Sequence, residues 1–241
     1  MAQYLTWDTK TISDFSDTNI NSLYNQGYLF TREGKGAMYQ TRSLRVNLSQ
    51  FKLSSENRRV LRKTENITLT LEPLPYTQYN WRIGKLGKDF YDTKFGGGIF
   101  SANKIKELLT GTEKNNFNEL FIYSVGSEKI GYAICLETNE LLHYCYPFYQ
   151  LLPPGGASSG QSLRTASGRS PTPYSLLPNI GLGMMLRAIV WSIEHGKKYV
   201  YLGSFQRPTD TYKLQFEGIE WWNVEVWRND LEELKSTLAS L

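Results

Sequence analysis

Three consecutive runs of β-branched and aromatic residues in the middle of the chain constrain its fold most strongly. They cover residues 120–125, 130–137 and 141–149. The joining pieces, 126–127 and 138–140, have the length of hairpin connections. Because such short connections join antiparallel neighbours, the sequence predicts a three-stranded antiparallel meander.

A helix and further strands are predicted after the meander. Apolar residues at helical spacing predict a helix over residues 180–195, with Asn179 as its N-cap and Gly196 as its C-terminal stop. The pattern then predicts a buried strand at 198–202, a short helix at 209–216 and a final strand at 220–227.

Upstream of the meander, the pattern predicts strands at 44–48 and 66–71 and helices at 54–63 and 101–109, with Ser54 able to cap the first helix. The chain is therefore predicted to be α+β, with a mostly antiparallel central sheet flanked by helices. This order of elements resembles that of the GCN5-related acyltransferase (GNAT) fold. The analogy concerns order alone, because fold does not by itself give function.

Residues 153–173 form a low-complexity stretch rich in Gly, Ser and Pro. Such residues offer little apolar surface to bury, so a flexible loop is predicted. Long loops of this kind in compact domains are either lids or disordered insertions, and the sequence favours neither.

Positive charge is concentrated in one part of the chain, although the net charge is only +4. Between Arg32 and Lys63 there are nine basic residues and two acids, Glu33 and Glu56. This asymmetry indicates either an anionic partner or a solvated helix face. A helix at 54–63 would place its basic residues in two pairs four residues apart, Arg58 with Arg62 and Arg59 with Lys63, the spacing that can bridge successive phosphates.

The remaining composition predicts a cytoplasmic protein. The two cysteines, Cys135 and Cys145, both lie in apolar runs and fit neither a disulfide framework nor a metal site. No apolar run has membrane-spanning length, and the N-terminal residues lack a basic-then-apolar signal. We therefore expect no metal and no membrane contact.

Gly181 and Gly183 lie at the start of the predicted 180–195 helix. Free backbone N–H groups there favour an anion or a developing oxyanion, and a Gly-x-Gly turn of this kind holds the pyrophosphate of coenzyme A in acetyltransferases. The usual Gln or Arg three residues before the first Gly is replaced by Pro178. A simple tight turn remains the alternative.

The basic segment carries a more specific pattern over residues 23–67. Its elements, in chain order, are Gly27-Tyr28, Arg32, Gly34, Tyr39, Arg45-Val46, Phe51, Ser55, Arg58-Arg59-Val60 and Arg62-Lys63. A looser second set is Gly181-Leu182-Gly183, the strand 199–203, Tyr212-Lys213 and Phe216. In these residue types and spacings the chain resembles the arginyl- and leucyl-tRNA–protein transferases, over about half of its length.

The resemblance implies that the chain moves Arg or Leu from a charged tRNA to the N-terminal amine of an acceptor protein. It implies a basic N-terminal region over 1–75 packed on a GNAT-like core over 76–241, with aminoacyl-tRNA as co-substrate and no cofactor. Two departures accompany it. The family's Cys cluster, which would lie between Tyr39 and Arg45, is replaced by QTRSL, and its Ser-Leu-Gly-Thr helix start reads Gly-Leu-Gly-Met.

Specific residues acquire candidate roles from this resemblance. Tyr144, Tyr146 and Tyr149 are expected beside the strand at 199–203 and are candidates for proton transfer or for stacking on the terminal adenine. Lys213 is a candidate for contact with the tRNA terminus or an acidic acceptor. Candidate tRNA- or substrate-binding residues are Arg32, Arg45, Arg58, Arg59, Arg62, Gly181, Gly183, Tyr201 and Tyr212. The alternative for the tyrosines is a core or surface strand position, and a structural role is favoured for His143 and His195.

Two other functions stay open on this sequence. One is a coenzyme-A-dependent N-acetyltransferase on the same fold, with acyl-CoA bound at Gly181–Gly183. The other is a non-catalytic RNA-binding protein that has kept the basic helix. The sequence does not define the oligomeric state.

Overall fold

The computed structural model describes residues 5–151 and 179–239. Within these residues the strands are β1 (Asp8–Thr11), β2 (Tyr28–Phe30), β3 (Ala37–Gln40), β4 (Ser43–Asn47), β5 (Ile67–Pro73), β6 (Glu119–Val125), β7 (Glu128–Glu137), β8 (Leu141–Tyr149), β9 (Tyr199–Ser204), β10 (Ile219–Trp222) and β11 (Trp227–Arg228). The helices are α1 (Asp17–Asn25), α2 (Ser55–Lys63), α3 (Trp81–Phe95), α4 (Ala102–Thr110), α5 (Ile180–Glu194) and α6 (Leu231–Ala239), with a 3₁₀ helix at Pro208–Gln215.

The centre of the fold is an eight-stranded sheet of order β11-β10-β4-β9-β8-β7-β6-β5. All neighbouring strands run antiparallel except β8 and β9, which run parallel. A separate small sheet has the order β1-β3-β2. The predicted α+β class with a mostly antiparallel sheet and flanking helices is confirmed.

Each face of the large sheet carries its own hydrophobic core. On β6, Phe121 and Tyr123 belong to the core that α2 and α5 cover, which we call core A. Leu120 and Ile122 belong to the core under α1, α3 and α4, which we call core B. This alternation follows from the two-residue period of a strand and explains why the meander is apolar throughout.

Most predicted elements are present with small shifts in their ends. The meander is confirmed as β6, β7 and β8, and the long helix as α5. Ser54 caps α2 by accepting a hydrogen bond from the N–H of Asn57 at 3.1 Å. Gly196 follows α5 with a φ of +68°, as expected for a residue that ends a helix. Asn179 precedes α5 but is left-handed, and its side chain makes no capping hydrogen bond.

One predicted element is wrong, and several were missed. The final strand predicted at 220–227 is a hairpin of β10 and β11, because the Asn223 side chain accepts hydrogen bonds from the N–H groups of Glu225 and Val226 and closes a turn. The missed elements are short or mixed in polarity, and they are α1, α3, α6 and β1. Their apolar residues are explained only by the partners they pack against.

The basic N-terminal part of the chain is integrated into the large sheet. β4 lies between β10 and β9, and β5 pairs with β6 along its whole length. The division of the chain at residue 75 stays a prediction. The predicted loop at 153–173 lies outside the described residues. No helix within the described ranges is both long and apolar enough to cross a bilayer.

Candidate active site

A cleft opens where β8 and β9 separate. The two parallel strands are in register at three positions, Leu141 with Tyr199, Leu142 with Val200 and His143 with Tyr201. Beyond that point β8 stays paired with β7 up to Tyr149, and β9 stays paired with β4 up to Ser204. Because the pairing of β8 with β9 ends at His143 and Tyr201, the space between the remaining parts of the two strands is not closed by backbone hydrogen bonds.

The cleft has a volume of about 1270 Å³. Its walls come from the diverging ends of β8 and β9, the start of α5, the end of α3, the residues after β2 and the 3₁₀ helix. Of the candidate site residues predicted from the sequence, six line it, namely Arg32, Tyr146, Tyr149, Gly181, Tyr212 and Lys213. Cavities of this size that combine aromatic walls with a few polar groups are typical of ligand sites.

The charged residues of the cleft lining carry a positive balance. Four of them are basic, Arg32, Lys94, Arg207 and Lys213, and two are acidic, Glu33 and Asp210. Asp210 is engaged by the backbone, because its Oδ2 accepts hydrogen bonds from the N–H groups of Gln206 at 3.0 Å and Arg207 at 3.1 Å. The lining therefore favours an anionic ligand.

Lys213 is held at the end of β9. Its Nζ donates a hydrogen bond to the backbone oxygen of Ser204 at 2.8 Å and lies 4.0 Å from Oδ1 of Asp210. The side chain is only 12% exposed, and burial lowers the pKa of the ammonium group. One hydrogen bond leaves two of its three N–H donors for other acceptors.

Arg32 is fixed by stacking. Its guanidinium carbon lies 4.0 Å from the ring centroid of Phe100, and it makes no ion pair with any residue of the described ranges. A stacked guanidinium keeps its planar edge available, and that edge matches a carboxylate or a phosphate.

Aromatic rings form much of the cleft wall. Tyr146 packs edge-on against Phe100 and Phe117, with ring centroids 5.2 and 5.3 Å apart. Tyr149 lies 4.7 Å from Phe90 between ring centroids. These packed rings are held in place before any ligand binds, so they offer a rigid surface on which a base can stack.

The two glycines at the start of α5 occupy different environments. A Cβ at Gly181 would lie 2.7 Å from the hydroxyl oxygen of Tyr149, so the absent side chain lets this ring reach the helix at the edge of the cleft. A Cβ at Gly183 would lie 2.7 Å from Oγ1 of Thr64, so Gly183 allows α5 to pack closely on the end of α2. Gly183 does not line the cleft.

Three other predicted residues lie in the protein interior. Tyr144 is 2% exposed within core A. Arg45 donates to Glu220, Asn25 and Tyr201, and its guanidinium carbon lies 3.9 Å from the ring centroids of both Tyr199 and Trp227. Tyr201 is fully buried beside it. The structure therefore puts all three outside the cleft, because their strand positions turn them into the cores, and their assigned contacts with substrate stay predictions.

The predicted basic helix is α2, whose arginines lie outside the cleft lining. Arg58 and Arg62 are exposed, and Arg59 pairs with Glu56 one turn earlier. Arg187 of α5 donates to the backbone oxygens of Ile67 and Thr64 and so ties the end of α2 to core A. The helix presents a positive face on a rigid support, and its binding of tRNA stays a prediction.

Two residues that sequence reasoning did not select are prominent in the structure. His143 lines the cleft, and its Nδ1 lies 2.9 Å from the hydroxyl of the fully buried Tyr24. Arg42 is 5% exposed, and its Nε and Nη1 have no hydrogen-bond partner within the described residues. Arg42 belongs to the QTRSL segment, and the only sequence signal that pointed to it was the prediction that this segment stands where the transferases that the chain resembles carry a Cys cluster.

Comparison with known proteins adds one relative. The chain is 26% identical over 236 residues to the aspartate/glutamate leucyltransferase of Alkalilimnicola ehrlichii, covering 92% of this chain and 86% of that protein. No family model matches the chain. The similarity to the leucyltransferase supports the resemblance to aminoacyl-tRNA–protein transferases that the sequence motifs indicate.

Solved structures with a similar arrangement include L-PGS from Bacillus licheniformis, with a TM-score of 0.45 and 11% identity over 92% of this chain and 69% of that chain. A putative lysylphosphatidylglycerol synthetase C-terminal domain from Agrobacterium fabrum has a TM-score of 0.42 and 11% identity, over 93% of this chain and 70% of that one. FemX has a TM-score of 0.42 and 11% identity, over 79% of this chain and 60% of its own.

Proposed function

We propose that this protein is an aminoacyl-tRNA–protein transferase with a GNAT-like fold, which moves an amino acid from charged tRNA to the N-terminal amine of an acceptor protein. The observation that carries the proposal is the positive, aromatic-walled cleft at the divergence of β8 and β9. The sequence similarity to a leucyltransferase over nearly the whole chain supports the same reaction class.

The reaction is aminolysis of an ester. The acceptor amine attacks the carbonyl carbon, a C–N bond forms, and negative charge develops on the carbonyl oxygen. Collapse breaks the bond to the ribose oxygen of the terminal nucleotide, which receives the proton that the amine loses. An α-amine has a pKa of about 7.7–8.0, so a neutral fraction is present near neutral pH. The ester is already activated, and positioning can contribute roughly 7–11 kcal/mol.

The cleft offers complementary groups for both substrates. The rings of Tyr146 and Tyr149 provide a surface for the terminal adenine, and the free donors of Lys213 can bind a phosphate or the reacting ester. Arg32, stacked on Phe100 and without an ion pair among the described residues, suits the side-chain carboxylate of an acidic acceptor. We therefore propose Leu as the transferred residue, with Arg as the alternative, and acceptors that begin with Asp or Glu, in line with the relative's name.

A direct assay tests the proposal. The protein is incubated with tRNA charged with radiolabelled Leu or Arg and with peptides that begin with Asp, Glu, Arg or Lys. Label in the acidic peptides that RNase abolishes supports the transferase. Label from acyl-CoA that RNase does not affect would instead indicate an N-acetyltransferase. Salt-sensitive tRNA binding without product would indicate a non-catalytic relative.

The acceptor preference has its own test. Arg32→Gln should reduce transfer to acidic peptides by about tenfold or more, because the carboxylate loses a charge-assisted hydrogen bond. The matched control is Arg82→Gln, at an exposed position of α3 outside the cleft. Equal rates for both variants would contradict the role of Arg32.

A further inference from the structure

His143 stands at the last position where β8 and β9 are in register, so its side chain lies at the point where the cleft begins. It is 4% exposed. Its only side-chain hydrogen bond within the described residues is the one between Nδ1 and Tyr24, so Nε2 has no partner there. A ring nitrogen with no protein partner beside a substrate cleft can contact a ligand.

The hydrogen bonds around Tyr24 determine which ring nitrogen carries the proton. The N–H of Phe30 donates to the Tyr24 hydroxyl oxygen at 3.3 Å, and that hydroxyl lies 2.9 Å from Nδ1 of His143. Burial raises the pKa of Tyr24, so the hydroxyl keeps its proton. The available acceptor for that proton is Nδ1, which places the imidazole proton on Nε2.

The ring is also kept neutral. Burial, and then the nearby positive charge of Lys213, lower the pKa of His143 to about 3. In a neutral imidazole whose Nδ1 already accepts a hydrogen bond, the remaining polar group is the Nε2–H, which can only donate. It donates without bringing a second positive charge next to Lys213.

We propose that the Nε2–H of His143 donates a hydrogen bond to the carbonyl oxygen of the aminoacyl ester and stabilises the negative charge that develops there. This role rests on the proposed function, because the oxygen belongs to the aminoacyl-tRNA. His143 acts as a fixed electrophile in this step and takes no proton from the amine. The donor is positioned before the reaction, which is the condition under which such a hydrogen bond lowers a barrier most.

Kinetics of two substitutions test the contact. His143→Leu removes the donor and should lower kcat about 100-fold, the usual cost of losing one oxyanion donor, with little change in KM for aminoacyl-tRNA. His143→Gln retains an N–H donor near the position of Nε2 and should recover part of that loss. If His143 had only a structural role, the polar Gln side chain in this buried place would not make His143→Gln more active than His143→Leu.

The tautomer is tested independently of activity. The chain has only two histidines, so in a His195→Gln background the ¹⁵N-labelled imidazole signals belong to His143 alone. We expect Nε2 protonated and Nδ1 unprotonated at pH 6 to 8, and Tyr24→Phe should alter this state because it removes the group that donates to Nδ1.

The outcomes separate the two proposals. A wild-type protein that transfers no amino acid from any charged tRNA would overturn the proposed function and this role with it. An active wild type whose His143→Leu variant keeps at least half of its kcat would overturn the role of His143 alone. A proton found on Nδ1 would also overturn it.

Discussion

Arg45 on β4 and Glu220 on β10 lie opposite each other on neighbouring antiparallel strands, and Nε of Arg45 is 2.7 Å from Oε2 of Glu220. The two side chains are 7% and 14% exposed. Stacking between Tyr199 and Trp227 completes the enclosure of the guanidinium. An arginine that its motif suggested for tRNA binding therefore connects β4, β9 and β10, the strands on one side of the cleft.

Arg45→Met should lower the free energy of unfolding by about 3–5 kcal/mol, because Glu220 would remain buried without its cation. Chemical denaturation measures this change. The control is Arg59→Ala, which breaks the exposed pair with Glu56 and should cost no more than about 1 kcal/mol. Similar values for the two variants would show that the Arg45 pair contributes no more than a surface pair.

Arg42→Met should have the opposite effect. Arg42 is buried but lacks hydrogen-bond partners at Nε and Nη1 among the described residues, so its replacement by an apolar side chain of similar length should raise the free energy of unfolding by about 1–3 kcal/mol. Denaturation in the same buffer as for Arg45→Met gives the comparison. A destabilised Arg42→Met variant would contradict this expectation.

Glu119 makes the free energy of unfolding depend on pH. Burial, and then the carboxylates of Glu137 and Glu72, raise its pKa from 4.5 to about 7. The folded state therefore binds more protons than the unfolded state between these values, so this group makes the free energy of unfolding fall as pH rises from 4.5 to 7. Glu119→Gln should be more stable than wild type by about 1–3 kcal/mol at pH 8, and equal to it near pH 4.

Denaturation curves at both pH values test the Glu119 prediction, with Glu113→Gln at an exposed position as the control. The difference between wild type and Glu119→Gln should grow with pH. A difference that is constant from pH 4 to pH 8 would mean that Glu119 titrates alike in the folded and unfolded states.

The salt dependence of tRNA binding tests the role of the basic face of α2. Arg58→Ala, Arg59→Ala and Arg62→Ala together should weaken tRNA binding and reduce the slope of log K against log salt, by about one unit for each phosphate that these arginines neutralise. The matched control removes the same charge from α3 with Arg82→Ala, Lys85→Ala and Lys88→Ala, on the side of the sheet that faces core B. Equal slopes for the two triple variants would contradict a role for α2.

The chain's local patterns predicted the elements that depend on local chemistry. The meander and α5 were predictable because strand and helix periods, hairpin lengths and a terminal glycine act over a few residues. The hairpin of β10 and β11 was missed because no Gly or Pro marks its turn, which is closed by the Asn223 side chain and by a backbone hydrogen bond from the Asn223 N–H to Val226. The short α1 and β1 were missed because their apolar residues are too few for a period to show.

The candidate site was predictable only in part. Arg32, Gly181, Tyr212 and Lys213 were selected from motifs, Tyr146 and Tyr149 were selected for their expected place beside the strand at 199–203, and all six line the cleft. Tyr144, Arg45 and Tyr201 were selected on the same grounds and are buried in the interior instead. A motif records which residue types recur, but the direction of each side chain depends on strand register and on bulges, such as those between Leu44 and Arg45 and between Ile134 and Cys135.

The sequence by itself determined the class of fold, the antiparallel meander, the basic helix and the resemblance to tRNA–protein transferases. Only the tertiary structure decided that β8 and β9 separate after His143, that Arg45 is paired while two nitrogens of Arg42 are not, and that Tyr24 orients the His143 ring. The physical reason is sequence distance. Tyr24 and His143 are 119 residues apart, and Arg45 and Glu220 are 175 apart, so no local pattern can specify their contact.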